Sequence, residues 1–153
     1  MQIFVLLHFF LIKEIKIMKT HSTNYFNTLI ETATDTKVAK GTVPPSKGNK
    51  TVAERQYELI ASAPYQYTSD DIIFQVYAER KDLTPDEYPA ARTVFFSRGQ
   101  ACLRASPLAK NYGYGIHSNS EGKVALYGME TDEYQKFVKD DNTKKVKAMK
   151  SSK

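Results

Sequence analysis

The middle of the chain carries side chains at helical spacing. After Thr51, the residues Val52, Gln56 and Leu59 fall on one helical face, and Pro64 ends the pattern. The order T-V-A-E places a hydroxyl three residues before a carboxylate, which is the signature of a capping box. The sequence therefore predicts a first helix that begins just after Thr51.

The following stretch, YTSDDIIFQVYAERKDL, fits two patterns at once. A helix would place Ile72, Val76 and Arg80 on one face, whereas a strand would alternate Ile72 with Phe74 and Val76. The acidic pair after Thr68 suits the start of a helix, where backbone N–H groups carry partial positive charge. We therefore expect a second helix here, with a strand as the alternative.

A third helix is predicted in the stretch LTPDEYPAARTVFFSRG. Thr84 is its expected cap, and Glu87, three residues later, completes a second capping box. Pro89 removes a hydrogen bond from the first turns, so we expect the helix to become regular only from that point. Gly99 lies where a left-handed residue would end the helix.

Strands are predicted on both sides of this helical block. Residues 24–33 alternate as in a strand, although apolar groups on both faces also allow a short helix. The stretch ACLRAS after Gly99 is interpreted as a short strand, and Pro107 begins a single helical turn. The Gly- and Asn-rich segment at about 113–128 then predicts a β-hairpin.

The hairpin has a preferred register. A five-residue loop from Ser118 to Gly122 would place Ile116 opposite Val124 on one face of the hairpin. The other face would then form a shallow floor with aromatic walls. That second face consists of Gly115, His117, Ala125 and Tyr127.

The last part of the chain predicts one more helix and a lysine-rich end. Thr131 caps the helix, which turns Tyr134 and Phe137 inward, and KKVKAMKSSK adds a short strand or lies loose. Because helices and strands are grouped rather than alternating, we expect a small single-domain α+β protein. Its antiparallel sheet, containing the hairpin, would pack against about four helices. The domain would span 18–142, with a basic tail at 143–153.

The positive charge of the chain is concentrated at its C-terminal end. The net charge is +5, and residues 144–153 contain five lysines and no acid. The rest of the chain is therefore close to neutral, which weakens the case for a nucleic-acid-binding face on the folded domain. Association with nucleic acid or another acidic surface through this tail is an alternative function.

The chain holds a single cysteine, Cys102, and three scattered histidines. An internal disulfide is thereby excluded, and the sequence shows no spacing typical of a zinc or haem site. We expect no metal and no other cofactor. A protein with one unpaired cysteine fits the reducing cytoplasm best.

The stretch MQIFVLLHFFLIKEIKI at the start of the chain carries an apolar run from Ile3 to Ile12. This run is too short to span a bilayer, which takes about 20 residues, and it lacks the positive start and the cleavage site of a signal peptide. We expect Met18 to be the true start and residues 1–17 to be translated upstream sequence or a mis-called start, with a short hydrophobic anchor or a signal remnant as the alternative. Membrane contact is expected only if residues 1–17 are retained.

The stretch SPLAKNYGYGIHSNSEGK and its flanks contain the candidate binding residues. Guanidinium, ammonium and imidazole groups close together would suit an anion, so we expect a non-enzymatic domain that binds a small anionic ligand or a protein partner. The candidates are Arg104, Ser106, Lys110, Tyr112, His117 and Tyr127. An enzyme that uses Cys102 or a cluster of arginine, tyrosine and histidine side chains is a further alternative.

Four stretches of the chain together resemble a known family. They are MKTHSTNYFNTLIE, YTSDDIIFQVYAE, FFSRGQACLRASPLAKNYGYGIH and GKVALYGMETDEY. As a set they are similar to a family of small bacterial proteins described only as a conserved domain of unknown function. The resemblance runs from Met18 almost to the C-terminus, and it implies no activity, cofactor or catalytic residue.

Overall fold

The computed structural model describes residues 19–152. The interpretations of residues 1–17 and of Met18 lie outside these described residues. Within the described range, the helices and strands in chain order are β1 (Thr28–Glu31), α1 (Val52–Ser62), α2 (Ser69–Arg80), α3 (Tyr88–Phe95), α4 (Pro107–Lys110), β2 (Tyr114–Ser118), β3 (Val124–Gly128), α5 (Asp132–Lys139) and β4 (Lys144–Lys147).

The strands form one mixed sheet in the order β3-β2-β1-β4. Strand β2 pairs antiparallel with both β1 and β3, which confirms the predicted hairpin. Strand β4 runs parallel to β1, so the sheet is mixed and not antiparallel throughout. The lysine-rich end therefore adds an edge strand to a single α+β domain instead of lying loose.

The central strand β1 is covered on both faces of the sheet. Residues 28–30 are all almost completely buried. Ile30 packs with Ile60 of α1 and Ile72 of α2, while α5 covers the opposite face through Tyr134. A strand with two covered faces carries apolar groups on both. The strand interpretation of this stretch is therefore confirmed, and its mixed pattern has a physical cause.

Helix α2 confirms the choice of a helix over a strand. It lies between two hydrophobic clusters, so side chains on more than one of its faces are buried. Ile72 joins the main cluster next to the sheet. Phe74 and Ala78 instead join a second cluster with Phe96. Because two faces of the helix are buried, its apolar residues alternate along the sequence as they would in a strand.

Hydroxyl groups cap both α1 and α2, but only α2 has a complete capping box. Thr51 Oγ1 accepts from the Glu54 amide at 3.1 Å. The Glu54 carboxylate accepts from the Lys47 amide at 3.4 Å, so the reciprocal bond predicted at α1 is replaced by a contact with the preceding loop. At α2, Thr68 and Asp71 exchange both bonds.

Helix α3 begins at Tyr88, after one 3-10 turn over Pro85–Glu87. In this turn the Glu87 carboxylate accepts from the Thr84 amide at 2.7 Å. The regular helix therefore starts next to Pro89, as the proline predicts.

Two predictions for the segment after α3 were wrong. The helix ends at Phe95, and Gly99 does not have a positive φ. Because Phe95 and Phe96 turn into the second cluster, aromatic packing ends the helix instead of a left-handed glycine. The stretch ACLRAS forms a 3-10 turn over Leu103–Ala105, because its amides donate to carbonyls three residues back rather than to a neighbouring strand.

A buried carboxylate ties the start of the described chain to α2. Asp70 Oδ1 accepts from the Thr23 amide at 2.6 Å and from the Thr23 hydroxyl at 2.7 Å. Its second oxygen accepts from the Ser22 hydroxyl at 2.8 Å. These charge-assisted bonds hold residues 22–23 against the first turn of α2.

Candidate functional site

The predicted hairpin forms with its faces as expected but with a different register. Ile116 lies opposite Leu126 instead of Val124. The Asn119 side chain accepts from two amides of the loop and closes it one residue further along than predicted. Because the pairing shifts by two residues, every side chain stays on its predicted face.

The floor of the hairpin is covered by helix α5. The ring of Tyr134 lies against Gly115, and the Tyr134 hydroxyl accepts from the Thr32 amide at 3.1 Å. The ring of Phe137 stacks on His117 with 3.9 Å between ring centroids and 17° between ring planes. The face that the sequence predicts as a ligand floor is thus part of the packed interior.

Two of the predicted site residues, His117 and Tyr127, meet through a third residue. The Tyr65 hydroxyl lies 2.8 Å from His117 Nδ1 and 2.8 Å from the Tyr127 hydroxyl. Tyr65 has a left-handed backbone with φ of 59°, which is strained for an aromatic residue. Its amide donates to the Val124 carbonyl at 2.9 Å, which fixes the strained segment along the edge of β3.

The environment of this cluster favours neutral side chains. Burial lowers the pKa of His117 below its usual value, and the nearby Asp140 carboxylate offsets part of that effect. Burial raises the pKa of Tyr65 well above its usual value, and the Tyr127 hydroxyl adds to the increase. The cluster is therefore a set of neutral hydrogen bonds that holds Tyr65 against the sheet, and α5 packs on it through the stacked ring of Phe137.

The other four predicted site residues do not join His117. Ser106 is buried at the start of α4, and Tyr112 packs against the main cluster on the opposite side of the sheet. Arg104 donates to a backbone carbonyl of β4 at 2.7 Å. Lys110 ends α4. The structure therefore distributes the six residues over both sides of the sheet.

The alternative of a Cys102–His117 pair receives no support from the packing. Cys102 lies next to Leu103, among the helices on the main-cluster side. His117 faces α5 on the other side of the sheet. An enzymatic role for Cys102 with a different partner stays a prediction.

The lysines of β4 have structural contacts of their own. Lys147 pairs with Glu31 at 3.3 Å, and the Lys145 ammonium donates to the Asp140 carbonyl at 2.6 Å. Lysines on an edge strand also oppose pairing with other chains. Association with an acidic surface through these lysines stays a prediction.

A cleft with a volume of about 320 Å³ lies between α1, α2, the end of α3 and residues 101–107. We call it the helical cleft. Its walls are mostly apolar and include Val76, Tyr77, Phe95 and Leu103. Small-molecule pockets have volumes of roughly 300–1,000 Å³, so the cleft is large enough for a small organic ligand.

Among residues 19–152, the charged side chains that line the cleft are all cationic. Arg80 and Lys81 lie at its rim, and no carboxylate is among the described residues that line it. Neither cation forms an ion pair with an acidic residue in the range 19–152. An apolar cleft with a positive rim attracts an anion that carries an apolar group.

A buried amide side chain lines the helical cleft. Gln56 is only 6% exposed, and its Oε1 accepts from the Ser106 hydroxyl at 2.5 Å. Ser106 Oγ already accepts from the Leu108 amide at 3.2 Å, so its single proton is directed to Gln56. The NH₂ group of Gln56 donates to no residue in the described part of the chain. A ligand atom in the cleft can accept from it.

The single cysteine also lines the helical cleft. Cys102 is partly exposed, and its Sγ lies 3.6 Å from the Tyr25 hydroxyl. Burial raises the pKa of Tyr25, so this neighbour is a neutral phenol. The thiol therefore provides a chemical probe within the wall of the cleft.

The sequence indicates two of the residues that line the cleft. Gln56 and Arg80 are polar residues inside two otherwise apolar helical stripes. Such positions indicate a face that is neither simple core nor simple surface. Lys81 and Cys102 gave no such signal, because they reach the cleft only through the packing of distant segments.

Within residues 19–152, no helix is long and apolar enough to cross a membrane. The same part of the chain contains no group of His, Cys, Asp and Glu side chains that could hold a metal ion.

Comparison with known proteins gives the family of the chain and no activity. No curated protein and no solved structure matches the chain. A family of unknown function (DUF6157) matches residues 20–153, and the chain belongs to this family.

Proposed function

We propose that this protein binds a small amphipathic anion in the helical cleft and does not turn it over. The observation that supports the proposal is the combination of apolar walls, a cationic rim and a Gln56 NH₂ group that has no acceptor among residues 19–152. The single cysteine, left unpaired at the cleft, is consistent with binding in the reducing cytoplasm.

Each part of the cleft has a role toward such a ligand. Burial of the apolar part of the ligand lowers the free energy by roughly 25 cal/mol for each Å² removed from water. The Gln56 amide and the guanidinium of Arg80 replace the hydration of the anionic group. Because association costs several kcal/mol, we expect a modest dissociation constant of roughly 10 μM to 1 mM.

The proposal is tested by isothermal titration with octanoate. Octylamine and octanol have the same apolar chain with a cationic or a neutral head, so they are matched control ligands. We expect octanoate to bind and the two controls to bind much more weakly. Equal binding of all three would show that only apolar burial is involved and would contradict the proposed selectivity for an anion.

A pair of rim substitutions locates the binding. The double variant Arg80→Met, Lys81→Met keeps the apolar stems of the two side chains and removes both charges. Octanoate affinity should fall by about tenfold, since each exposed charge contributes up to about 1 kcal/mol. Arg98→Met, which removes an exposed charge outside the described lining, should leave the affinity unchanged.

A further inference from the structure

A second cavity adjoins the helical cleft. It has a volume of about 690 Å³ and lies between residues 48–51 and the end of α2. The two cavities share Val76 and Arg80 in their linings. A ligand with its apolar part in the helical cleft would therefore place its polar end at Arg80, where the second cavity begins.

Most charges of the second cavity are already paired. Arg55 donates to both oxygens of Glu79, at 2.7 and 2.9 Å, and to Glu58 at 3.2 Å. Lys50 pairs with Glu58 at 2.8 Å. These bonds occupy the guanidinium of Arg55 on both sides.

Two charges in the lining of the second cavity remain available. Arg80 and Asp82 each lack an ion pair with any residue in the range 19–152. Only Lys81 separates them along the chain: α2 ends at Arg80, and Asp82 follows with a left-handed backbone at φ of 53°. Among residues 19–152, the lining of the cavity therefore offers one cation and one anion without an ion-pair partner, two positions apart in the sequence.

The partial charges at two helix ends match the charges of Arg80 and Asp82. Thr51 caps the start of α1, where the backbone carries partial positive charge, and it lines the second cavity with Arg80. The end of α2, beside Asp82, carries partial negative charge. An anionic group is thus favoured toward α1 and a cationic group toward Asp82.

We propose that the ligand is an α-amino acid with an apolar side chain. The apolar side chain occupies the helical cleft, the carboxylate pairs with Arg80, and the ammonium pairs with Asp82. This inference rests on the proposed function, since it keeps the apolar group and the carboxylate of that ligand and adds an ammonium, which makes the ligand a zwitterion. It assigns Asp82 as the residue that selects the amino group.

The test compares 2-aminooctanoate with octanoate by isothermal titration. The two ligands differ only in the amino group, so their affinity ratio measures recognition of the ammonium. In the unaltered protein we expect 2-aminooctanoate to bind about tenfold more tightly. In Asp82→Asn we expect this preference to disappear while octanoate affinity stays the same or rises.

The choice of variants keeps the test independent of folding. Asn tolerates the left-handed backbone as Asp does, so Asp82→Asn should retain the melting temperature of the unaltered protein. Asp86→Asn removes an exposed carboxylate outside the described lining and should keep the full preference.

The outcomes separate the two proposals. If octanoate binds in the helical cleft but 2-aminooctanoate gains nothing, the amino-acid inference is overturned and the proposed function stands. A preference that survives in Asp82→Asn also overturns the inference, because another group then recognises the ammonium. If neither ligand binds, both proposals fail.

Discussion

At the scale of single residues, His117 couples protonation to folding. Its ring is stacked on Phe137 and bonded to Tyr65 on a covered face of the sheet. Burial lowers its pKa in the folded protein below the value of 6.5 for an unperturbed histidine, despite the opposing effect of Asp140. The unfolded chain therefore takes up a proton at a higher pH than the folded chain does.

The sign of the resulting pH dependence follows from linkage. As pH falls below about 6.5, protonation favours the unfolded chain, so the stability of the protein should decrease. We expect the melting temperature to drop between about pH 7.5 and about pH 5.5, and His117→Phe to reduce that drop. Tyr127→Phe, which keeps the imidazole, should retain it. An equal drop in His117→Phe would show that other groups cause the dependence.

At the scale of elements, the capping and turn residues were the most predictable features. Thr68 and Asp71 begin α2 through contacts within four residues, and Gly122 supplies the positive φ of the hairpin loop. Such interactions depend on neighbours in sequence, so the sequence alone indicates them. Errors arose where distant packing decides, as at the end of α3, which the second cluster sets.

The docking of α5 on the sheet depends on the missing side chain of Gly115. A Cβ at this position would lie 2.6 Å from Tyr134 Cδ2 and 3.2 Å from Leu29 Cδ1. Tyr134 cannot move away freely, because its hydroxyl accepts from the amide of Thr32. We expect Gly115→Ala to lower the free energy of unfolding by about 1–3 kcal/mol.

Urea unfolding measures this effect, and the chain offers a matched control. A Cβ at Gly48 would meet nothing within 4 Å, so Gly48→Ala should be neutral or slightly stabilising. Equal stability of the two variants would mean that α5 does not lie against Gly115 as described.

At the scale of the whole molecule, the sheet separates two environments. On one side, α5 seals the predicted hairpin floor around His117. On the other side, α1, α2 and α3 leave the helical cleft open beside Cys102. The alternation of strands indicated which face each hairpin residue takes. It could not indicate which face a distant helix would cover, so the predicted site residues were distributed over both sides.

The measurement that tests the helical cleft most directly is the alkylation rate of Cys102 with iodoacetamide. This residue is the only cysteine of the chain and lines the cleft, so its reaction rate reports occupancy at that position. We predict that octanoate slows the reaction in proportion to its binding, that octylamine does not, and that Arg80→Met, Lys81→Met weakens the protection. An unchanged rate at octanoate concentrations that saturate binding would contradict the assignment of the cleft as the site.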